Sequence, residues 1–322
     1  MANRKVLLLN FLKPVIELEY QLEQLNQISK NSILSIEKEL SLIHTSLVGL
    51  KQDIFSSLTP LQRLYLVRQA DRPTTLNYIS YMMDHWLELH GDRGGTDDPA
   101  LIVGIGKLAC YTVVFIGHQR GKDTKDNVIR NFGMASPGGY RKALRIMRHA
   151  NKFNFPILTF IDTPGAWAGI EAEKLGQGEA IAVNLREMFS LSVPILCTII
   201  GEGGSGGALG IGVADKILML EYAVYTVATP EACAAILWKD SQKSLIAAES
   251  LRITSSDLKL LGIIDHIIKE PIGGSQANLI DTSFILKEKL IIELASLLKL
   301  SSKQRKELRY KKFRKIGTFY EN

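Results

Sequence analysis

Two stretches, ILTFIDTPGAWAG at residues 157–169 and ILCTIIGEGGSGGALG at residues 195–210, share one pattern. In each, an apolar run typical of a buried strand gives way to a glycine-rich turn, after which a helix is expected. Glycine lets backbone N–H groups approach a ligand closely, and the start of the next helix adds partial positive charge. Both turns are therefore predicted to hold an anion or a developing oxyanion.

The same alternation of apolar runs, turns and amphipathic stretches extends outward from these turns, over residues 73–296. It is typical of an α/β domain whose strands are covered on both faces. The predicted strands are Ala100–Val103, Thr112–Gly117, Ile157–Ile161, Ile195–Ile200, Lys216–Leu220, Val224–Val227 and Ile263–Ile267. The predicted helices are Gly139–Phe153, Gly176–Leu191, Pro230–Leu237 and Ser283–Leu300.

Residues 1–72 form a separate N-terminal region. Over residues 14–56, apolar side chains recur at helical steps of three and four, and Asn31 and Ser32 offer a turn. We predict an antiparallel helical hairpin that packs on the core or on another subunit. The apolar patch Val6–Leu9 is too short for a secretory signal, and no run approaches the roughly 18 apolar residues that cross a membrane.

The chain of 322 residues carries a formal net charge of +6, concentrated near its C-terminal end. Between Lys303 and Lys315 there are eight basic residues against one acid, Glu307. Residues 297–322 are therefore predicted to be a solvated basic tail, and because the remaining body is roughly neutral, no nucleic-acid partner is expected. The three cysteines are widely spaced and form no Cys-x-x-Cys pair, so we expect reduced thiols and no metal site.

The second turn also matches the dinucleotide-binding fingerprint through Gly201, Gly203 and Gly206, with Glu221 about 20 residues later. An NAD-binding protein is therefore an alternative. Against it, the further glycines within residues 207–212 weaken the only stretch available for the crossover helix, by about 1 kcal/mol each.

A hydrolase-type nucleophile elbow, Gly-x-Ser-x-Gly, is centred on Ser205, with Asp240 or Asp257 and then His266 downstream in the required order. His266 lies in an apolar strand, where a packed histidine is expected more often than a general base. Ser205 is interpreted as a small residue that permits close backbone packing.

Seven blocks, in their order and spacing, resemble the carboxyltransferase alpha subunits of acetyl-CoA carboxylase, and the resemblance covers nearly the whole chain. The blocks are Gly91–Arg93, Ile116–Gly121, Asn131–Met134, Gly139–Ala143, Thr159–Ala166, Gly201–Gly207 and Ala234–Trp238. The resemblance implies a crotonase fold, a ClpP/crotonase-like spiral of ββα units following an N-terminal α-helical hairpin, in place of a Rossmann sheet.

What the resemblance implies for function is the transfer of a carboxyl group from carboxybiotin to acetyl-CoA, giving malonyl-CoA for fatty acid synthesis. It implies an α2β2 assembly with a carboxyltransferase beta subunit, which carries the zinc, together with the biotin carboxyl carrier protein and biotin carboxylase. Biotin would arrive on the carrier, so no covalently bound cofactor is expected here. The rival interpretation is a crotonase-like scaffold subunit without catalytic activity.

The resemblance also implies roles for individual residues. The backbone N–H groups of Gly206 and Gly207 would hold the ureido oxygen of carboxybiotin. Residues expected to shape the two loops are Gly203, Gly204, Gly165, Ala166 and Gly169. Residues proposed to meet CoA phosphates are Lys122, Lys125, Arg130, Arg141 and Lys142.

Two departures from the family pattern affect these expectations. Trp167-Ala168-Gly169 replaces the Tyr-Pro-Gly that is frequent in the family, which would reshape the biotin pocket. Ser275-Gln276-Ala277 replaces Ala-His-Arg, so no role of that histidine or arginine is carried over. Residues 171–178 look most like the cyanobacterial and plastid forms, which implies the plastid stroma or a bacterial cytoplasm.

Overall fold

A computed structural model describes residues 10–31 and 37–317 of the chain. The patch Val6–Leu9 and Ser32 of the predicted turn lie outside the described residues. Within the described ranges, strands and helices alternate as expected of an α/β protein. None of the helices in these ranges combines the length and apolar character needed to cross a membrane.

The strands of the described residues form one eight-stranded sheet. They are β1 (Trp86–Leu89), β2 (Leu101–Leu108), β3 (Tyr111–His118), β4 (Ile157–Thr163), β5 (Ile195–Gly204), β6 (Lys216–Leu220), β7 (Val224–Thr226) and β8 (His266–Ile268). Their order is β1-β2-β3-β4-β5-β6-β8, and β7 pairs with β5. The first three strands are antiparallel, and the remaining pairings are parallel.

The parallel centre of the sheet is fully covered. Every residue of β4 and β5 is buried, as expected where helices lie on both faces. Each of the seven predicted strands overlaps an observed one. Lys216–Leu220 matches β6 at both ends, the others are shifted at one end or at both, and Ile263–Ile267 shares only His266 and Ile267 with β8. The strand β1 was not predicted because it lies at the edge of the sheet, where its residues are exposed or half-buried and give no apolar run.

The helices are α1 (Lys13–Asn31), α2 (Glu37–Ser56), α3 (Pro60–Val67), α4 (Thr75–Met82), α5 (Thr124–Ile129), α6 (Pro137–Phe153), α7 (Ile170–Lys174), α8 (Gln177–Ser190), α9 (Ser205–Leu209), α10 (Pro230–Trp238), α11 (Ser244–Ser250), α12 (Ser255–Leu260), α13 (Leu279–Leu298) and α14 (Ser302–Arg314). The four predicted helices are confirmed as α6, α8, α10 and α13. Pro137 opens α6 at its first turn, where proline is well tolerated.

The predicted hairpin corresponds to α1 and α2, which pack against each other. Glu19, near the start of α1, pairs with Lys51, near the end of α2, with 2.6 Å between the charged groups. This pairing of a start with an end confirms the antiparallel arrangement. The following segment is tied to the sheet, since the Arg72 side chain donates to the Ile200 carbonyl of β5 over 2.8 Å. The boundary at residue 72 stays a prediction.

The expectation of a solvated C-terminal tail is wrong for α14. Arg309 is buried, and its guanidinium makes two hydrogen bonds, of 2.9 and 2.8 Å, with the carboxylate of Asp215. It also donates to the carbonyl groups of Met188 and Leu191 over 2.6 and 3.0 Å. Arg309 is thus one of the basic residues on which the prediction of a solvated tail rested, yet it holds α14 against the rest of the protein.

Candidate active site

The two glycine-rich turns lie side by side. They follow β4 and β5, which are parallel neighbours, and the carboxyl ends of parallel strands meet at one edge of a sheet. The pairing shifts register between Ile161 and Thr163, so that Thr163 comes opposite Gly203. This irregularity places the first turn against the second.

The backbones of the two turns touch where only glycine fits. A methyl group added at Gly204 would overlap the Pro164 carbonyl and come within 3.0 Å of the Gly165 nitrogen. One added at Gly207 would lie 2.8 Å from the Gly165 oxygen and closer still to the Ala166 nitrogen. The tyrosine of α6, Tyr140, then fixes the second turn by donating its hydroxyl to the Gly207 carbonyl over 3.0 Å.

A cavity of about 410 Å³ opens beside the second turn. Its wall is mainly apolar and is built by Ser205, Gly206, Leu209, Tyr225, Thr226, Val227, Leu251, Arg252, Leu258, Leu261 and Ile263. A methyl group at Gly206 would have its nearest neighbour at 3.9 Å, the Ile181 side chain. Gly206 therefore leaves space at the cavity wall, whereas Gly204 and Gly207 are needed for backbone contact.

Ser205 lies in left-handed backbone conformation, with φ of 50°, at the point where β5 turns into α9. Such a turn resembles a nucleophile elbow, but the proposed partners are engaged elsewhere. His266 Nε2 lies 3.0 Å from Glu293 of α13, Asp257 accepts from Thr254, and Asp240 accepts from the Gln242 N–H. The dinucleotide alternative is likewise unsupported, because α9 has only five residues and the first turn packs against the second.

Comparison of the amino-acid sequence with known proteins identifies the family of the chain that carries this site. Residues 8–317 match the family described as acetyl co-enzyme A carboxylase carboxyltransferase-like. The chain belongs to this carboxyltransferase family. It is 73% identical over 321 residues to the acetyl-coenzyme A carboxylase carboxyl transferase subunit alpha of Gracilaria tenuistipitata var. liui, covering 100% of this chain and 98% of that one. It is 60% identical over 320 residues to the subunit of the same name from Crocosphaera subtropica, with 99% and 96% covered.

Solved structures confirm the predicted crotonase-type fold. The Pseudomonas malonate decarboxylase MdcD-MdcE hetero-dimer has a chain that matches with a TM-score of 0.54 at 19% identity, covering 74% of this chain and 97% of that one. The transcarboxylase 12S structure matches with a TM-score of 0.52 at 17% identity, and the match spans 64% of this chain and 40% of that one. At these identities the likeness carries the fold alone.

The other loop-shaping residues of this carboxyltransferase chain differ in their surroundings. A methyl group at Gly203 would meet the Tyr225 ring at 2.7 Å, so this glycine lets β7 pack closely. A methyl group at Gly165 meets nothing within 4 Å, and one at Gly169 would lie 3.3 Å from the Trp167 indole of its own turn. Close packing thus requires glycine at position 203, whereas Gly165 contributes through its backbone.

The proposed phosphate contacts do not form one cluster. Lys142 is wrong as a candidate, because it is buried and its Nζ pairs with Asp97 Oδ1 at 2.5 Å. Arg130 is occupied by Asp126, at 2.9 Å, and by the Pro99 carbonyl, at 2.8 Å. Lys122 and Lys125 are exposed, so their assignment stays a prediction.

Arg141 lies in a basic groove that the sequence did not reveal. The groove, of about 490 Å³, runs along α6 and is lined by Asp92, Arg93, Arg141, Leu144, Arg145, Arg148, His149 and Lys152. The basic side chains recur at steps of three and four, which places them on one face of the helix. This spacing is the signal from which the groove could have been found.

A set of buried charges lies beneath the two turns, and it was also missed. Asp162, near the end of β4, and Glu202, near the end of β5, are both buried. Burial raises the pKa of Asp162 above its usual value, against the effect of Arg120. Burial acts on Glu202 in the same direction, but Arg68 and Arg120 together hold its pKa below the usual range.

His118, at the end of β3, is completely buried next to backbone groups of Phe160 and Gly207. Burial, reinforced by the charge of Arg120, lowers the pKa of His118 to about 3. The ring is therefore neutral at physiological pH. It packs behind the second turn as an uncharged side chain.

Proposed function

We propose that this chain is the alpha subunit of an acetyl-CoA carboxylase carboxyltransferase and supplies the biotin-binding side of its active site. The carboxyl group moves from carboxybiotin on a carrier protein to acetyl-CoA, giving malonyl-CoA for fatty acid synthesis. The observation that carries the proposal is the cavity of about 410 Å³ whose wall includes Gly206. Its size is that of a small-molecule site, and its apolar wall suits the ring system of biotin.

The backbone N–H groups of Gly206 and Gly207 are the proposed donors. Both residues lie in the first turn of α9, where N–H groups have no partner within the helix. The contact of Gly207 with the first turn holds these groups in a fixed direction. Donors that are fixed before the reaction stabilise a developing oxyanion without reorganisation, and each is worth roughly 3 to 4 kcal/mol.

The chemistry needs such donors twice. Carboxybiotin enters as a substrate carried by another chain, and when its N–CO2 bond breaks, negative charge develops on the ureido oxygen. Gly206 and Gly207 would stabilise that charge. The ureido anion then takes a proton from the methyl group of acetyl-CoA, and the resulting enolate adds to CO2. The donors for the enolate oxygen are proposed to come from the beta subunit.

An exposed apolar surface supports a site completed by another chain. Large apolar side chains are exposed at the cavity wall and on α10 and α12: Val227 of the wall is 73% exposed, Ile236 of α10 75% and Leu260 of α12 84%. Contiguous exposed apolar patches commonly mark protein interfaces. We assign this surface to the beta subunit of an α2β2 assembly. The biotin carboxyl carrier protein and biotin carboxylase would be the further partners.

The cofactors of the assembly are proposed to lie on other chains. Among the described residues, no group of three or more His, Cys, Asp or Glu side chains is placed to hold a metal ion. The zinc expected in this family is assigned to the beta subunit, and biotin to its carrier. For the phosphates of acetyl-CoA and malonyl-CoA we retain Lys122, Lys125 and Arg141, the last within the basic groove of α6.

The relatives also suggest a compartment. High identity to alpha subunits of the red alga Gracilaria and of the cyanobacterium Crocosphaera supports the plastid stroma, or a bacterial cytoplasm, as the location.

The decisive measurement is malonyl-CoA decarboxylation coupled to carboxylation of biocytin, a free analogue of carrier-bound biotin. It is made with this chain alone, with a cognate beta subunit, and with the mixture. Activity only in the mixture is the expected result. Absence of activity in a verified complex of both subunits would contradict the proposal and favour a scaffold.

A site-blocked variant makes the test specific to the cavity. Gly206→Val adds a side chain at a position where the nearest atom is 3.9 Å from the added carbon, so the fold can accept it while the cavity is narrowed. The variant should still bind the beta subunit but lose transfer to biocytin. Full activity of this variant would place biotin elsewhere.

A further inference from the structure

Five alternating charges connect the N-terminal region to both glycine turns. Glu231 of α10 pairs with Arg68 at 3.0 Å, and Arg68 binds both carboxylate oxygens of Glu202, at 2.7 and 3.0 Å. Glu202 also pairs with Arg120 at 3.1 Å, and Arg120 pairs with Asp162 at 3.1 Å. This charge chain ends under the first turn and passes directly beneath the second.

Arg120 is the link between the two turns. Its Nε faces Asp162 at the end of β4, just before the first turn, while its Nη2 donates to Glu202 at the end of β5, where the second turn begins. The same carboxylates are also joined through the backbone, because the Glu202 N–H donates to Asp162 Oδ1 over 3.0 Å. Without Arg120 the two buried carboxylates would face each other with Arg68, which binds Glu202, and Arg72, which is paired with Glu270, as the nearby cations. Like charges at this depth repel strongly.

We propose that Arg120 is a positioning residue that sets the spacing of the two turns and so keeps the Gly206 and Gly207 N–H groups aimed at the bound oxyanion. This inference rests on the proposed function, but it assigns Arg120 no contact with substrate. A guanidinium suits the task because its delocalised charge can face two carboxylates at once, here through an ion pair with Asp162 and a hydrogen bond to Glu202. A lysine ammonium at the same place is a point charge on a flexible stem.

The experiment compares four alpha variants, each assembled with the beta subunit: Arg120→Gln, Arg120→Lys, Arg120→Gln with Asp162→Asn, and Arg186→Gln as the matched control. Arg186 is 73% exposed, so its loss tests only the removal of an arginine. The Asp162→Asn change is not expected to break the link to Glu202, because an amide oxygen can still accept the Glu202 N–H.

The expected result is a loss in kcat of about 100-fold for Arg120→Gln, the scale of a misplacement near 1 Å, with KM for malonyl-CoA little changed. Arg120→Lys should lose less. The double variant should recover about tenfold over Arg120→Gln, because removing the unbalanced anion relieves the repulsion. Removing the unbalanced anion would also restore overall stability, so a comparison of local with global hydrogen exchange is needed to separate positioning from stability.

Hydrogen exchange provides a readout that does not need activity. Peptides covering residues 160–170 and 200–210 should exchange faster in Arg120→Gln than in Arg186→Gln. Peptides of α13 should exchange at the same rate in both variants. If the wild-type complex is inactive but Arg120→Gln still shows this exchange pattern, the proposed function is wrong while the role of Arg120 in spacing the two turns stands. If the wild type is active but Arg120→Gln leaves both kcat and hydrogen exchange unchanged, the inference is overturned. It is also overturned if the double variant recovers no activity over Arg120→Gln.

Discussion

The contact between the two turns predicts a sharp difference between neighbouring glycines. In Gly207→Ala the new methyl carbon would lie 2.8 Å from the Gly165 oxygen and closer still to the Ala166 nitrogen, and ordinary contact begins near 3.4 Å, so the turns must separate by more than about 0.6 Å. Displacements approaching 1 Å at a catalytic centre cost about 100-fold in rate, so we expect kcat to fall between about 10-fold and 100-fold. Overpacking of this kind also costs about 1 to 3 kcal/mol of stability.

Two control variants separate the possible causes. In Gly206→Ala the methyl group has room but enters the cavity, so KM for biocytin should rise while the melting temperature stays near that of the wild type. In Gly178→Ala the methyl group meets nothing within 4 Å, and alanine favours the helix, so activity and stability should be retained.

The assay is coupled malonyl-CoA decarboxylation with the beta subunit present, together with thermal unfolding of each alpha chain. The reasoning would be refuted if Gly207→Ala kept the wild-type kcat, because the turns would then not be held in rigid contact. It would also be refuted if Gly206→Ala lowered stability as much as Gly207→Ala.

Three further predictions concern single side chains. Ser205→Ala should keep most of the transfer activity, because the proposed donors are backbone groups. Complete loss of activity in a steady-state assay would instead support Ser205 as a nucleophile. Arg309→Ala leaves the buried Asp215 carboxylate without its cation and should lower the free energy of unfolding, measured by urea titration, by about 3 to 5 kcal/mol. Lys311→Ala removes an exposed charge and should not change it. Equal urea midpoints for the two variants would contradict the role of the Arg309–Asp215 pair. Burial lowers the pKa of His118 to about 3, while the unfolded chain titrates near 6.5. Protons therefore bind the unfolded state first, and stability should fall by about 1.4 kcal/mol per pH unit as the pH drops from 6.5 toward 3. His118→Gln should show a shallower decline, and an identical slope would mean that His118 is protonated in the folded protein.

The parts of the fold that the sequence predicts are those specified locally. β4 and β5 are runs of apolar and β-branched residues that lead into glycine-rich turns, so their existence and the turns that follow them were predictable. The edge strand β1 was not, because edge strands expose their side chains and lack that pattern. Whether the sheet is of the Rossmann or crotonase type is not a local property, and the residues alone left both open.

The contacts that were missed join residues far apart in the chain. Arg68 and Glu202 are separated by 134 positions, and Arg309 and Asp215 by 94. In the sequence, Arg309 is one of many basic residues, and Lys142 is one of several near α6. Burial and pairing distinguish them only in three dimensions, which is why the predictions of a solvated tail and of a phosphate contact at Lys142 were wrong.

The charge chain also explains how a site rich in charge can depend on backbone groups for its chemistry. The carboxylates closest to the turns, Asp162 and Glu202, are both buried and both paired with Arg120, and Asp162 Oδ1 already accepts a backbone N–H. Groups held in this way serve to fix a geometry, since a general acid or base must be able to exchange its proton with substrate. The proposed reaction requires no such group from this chain, because the substrate's own ureido anion takes the proton. What it requires is that two strand ends stay in register, and the glycine contacts and the arginine bridge both act on that distance.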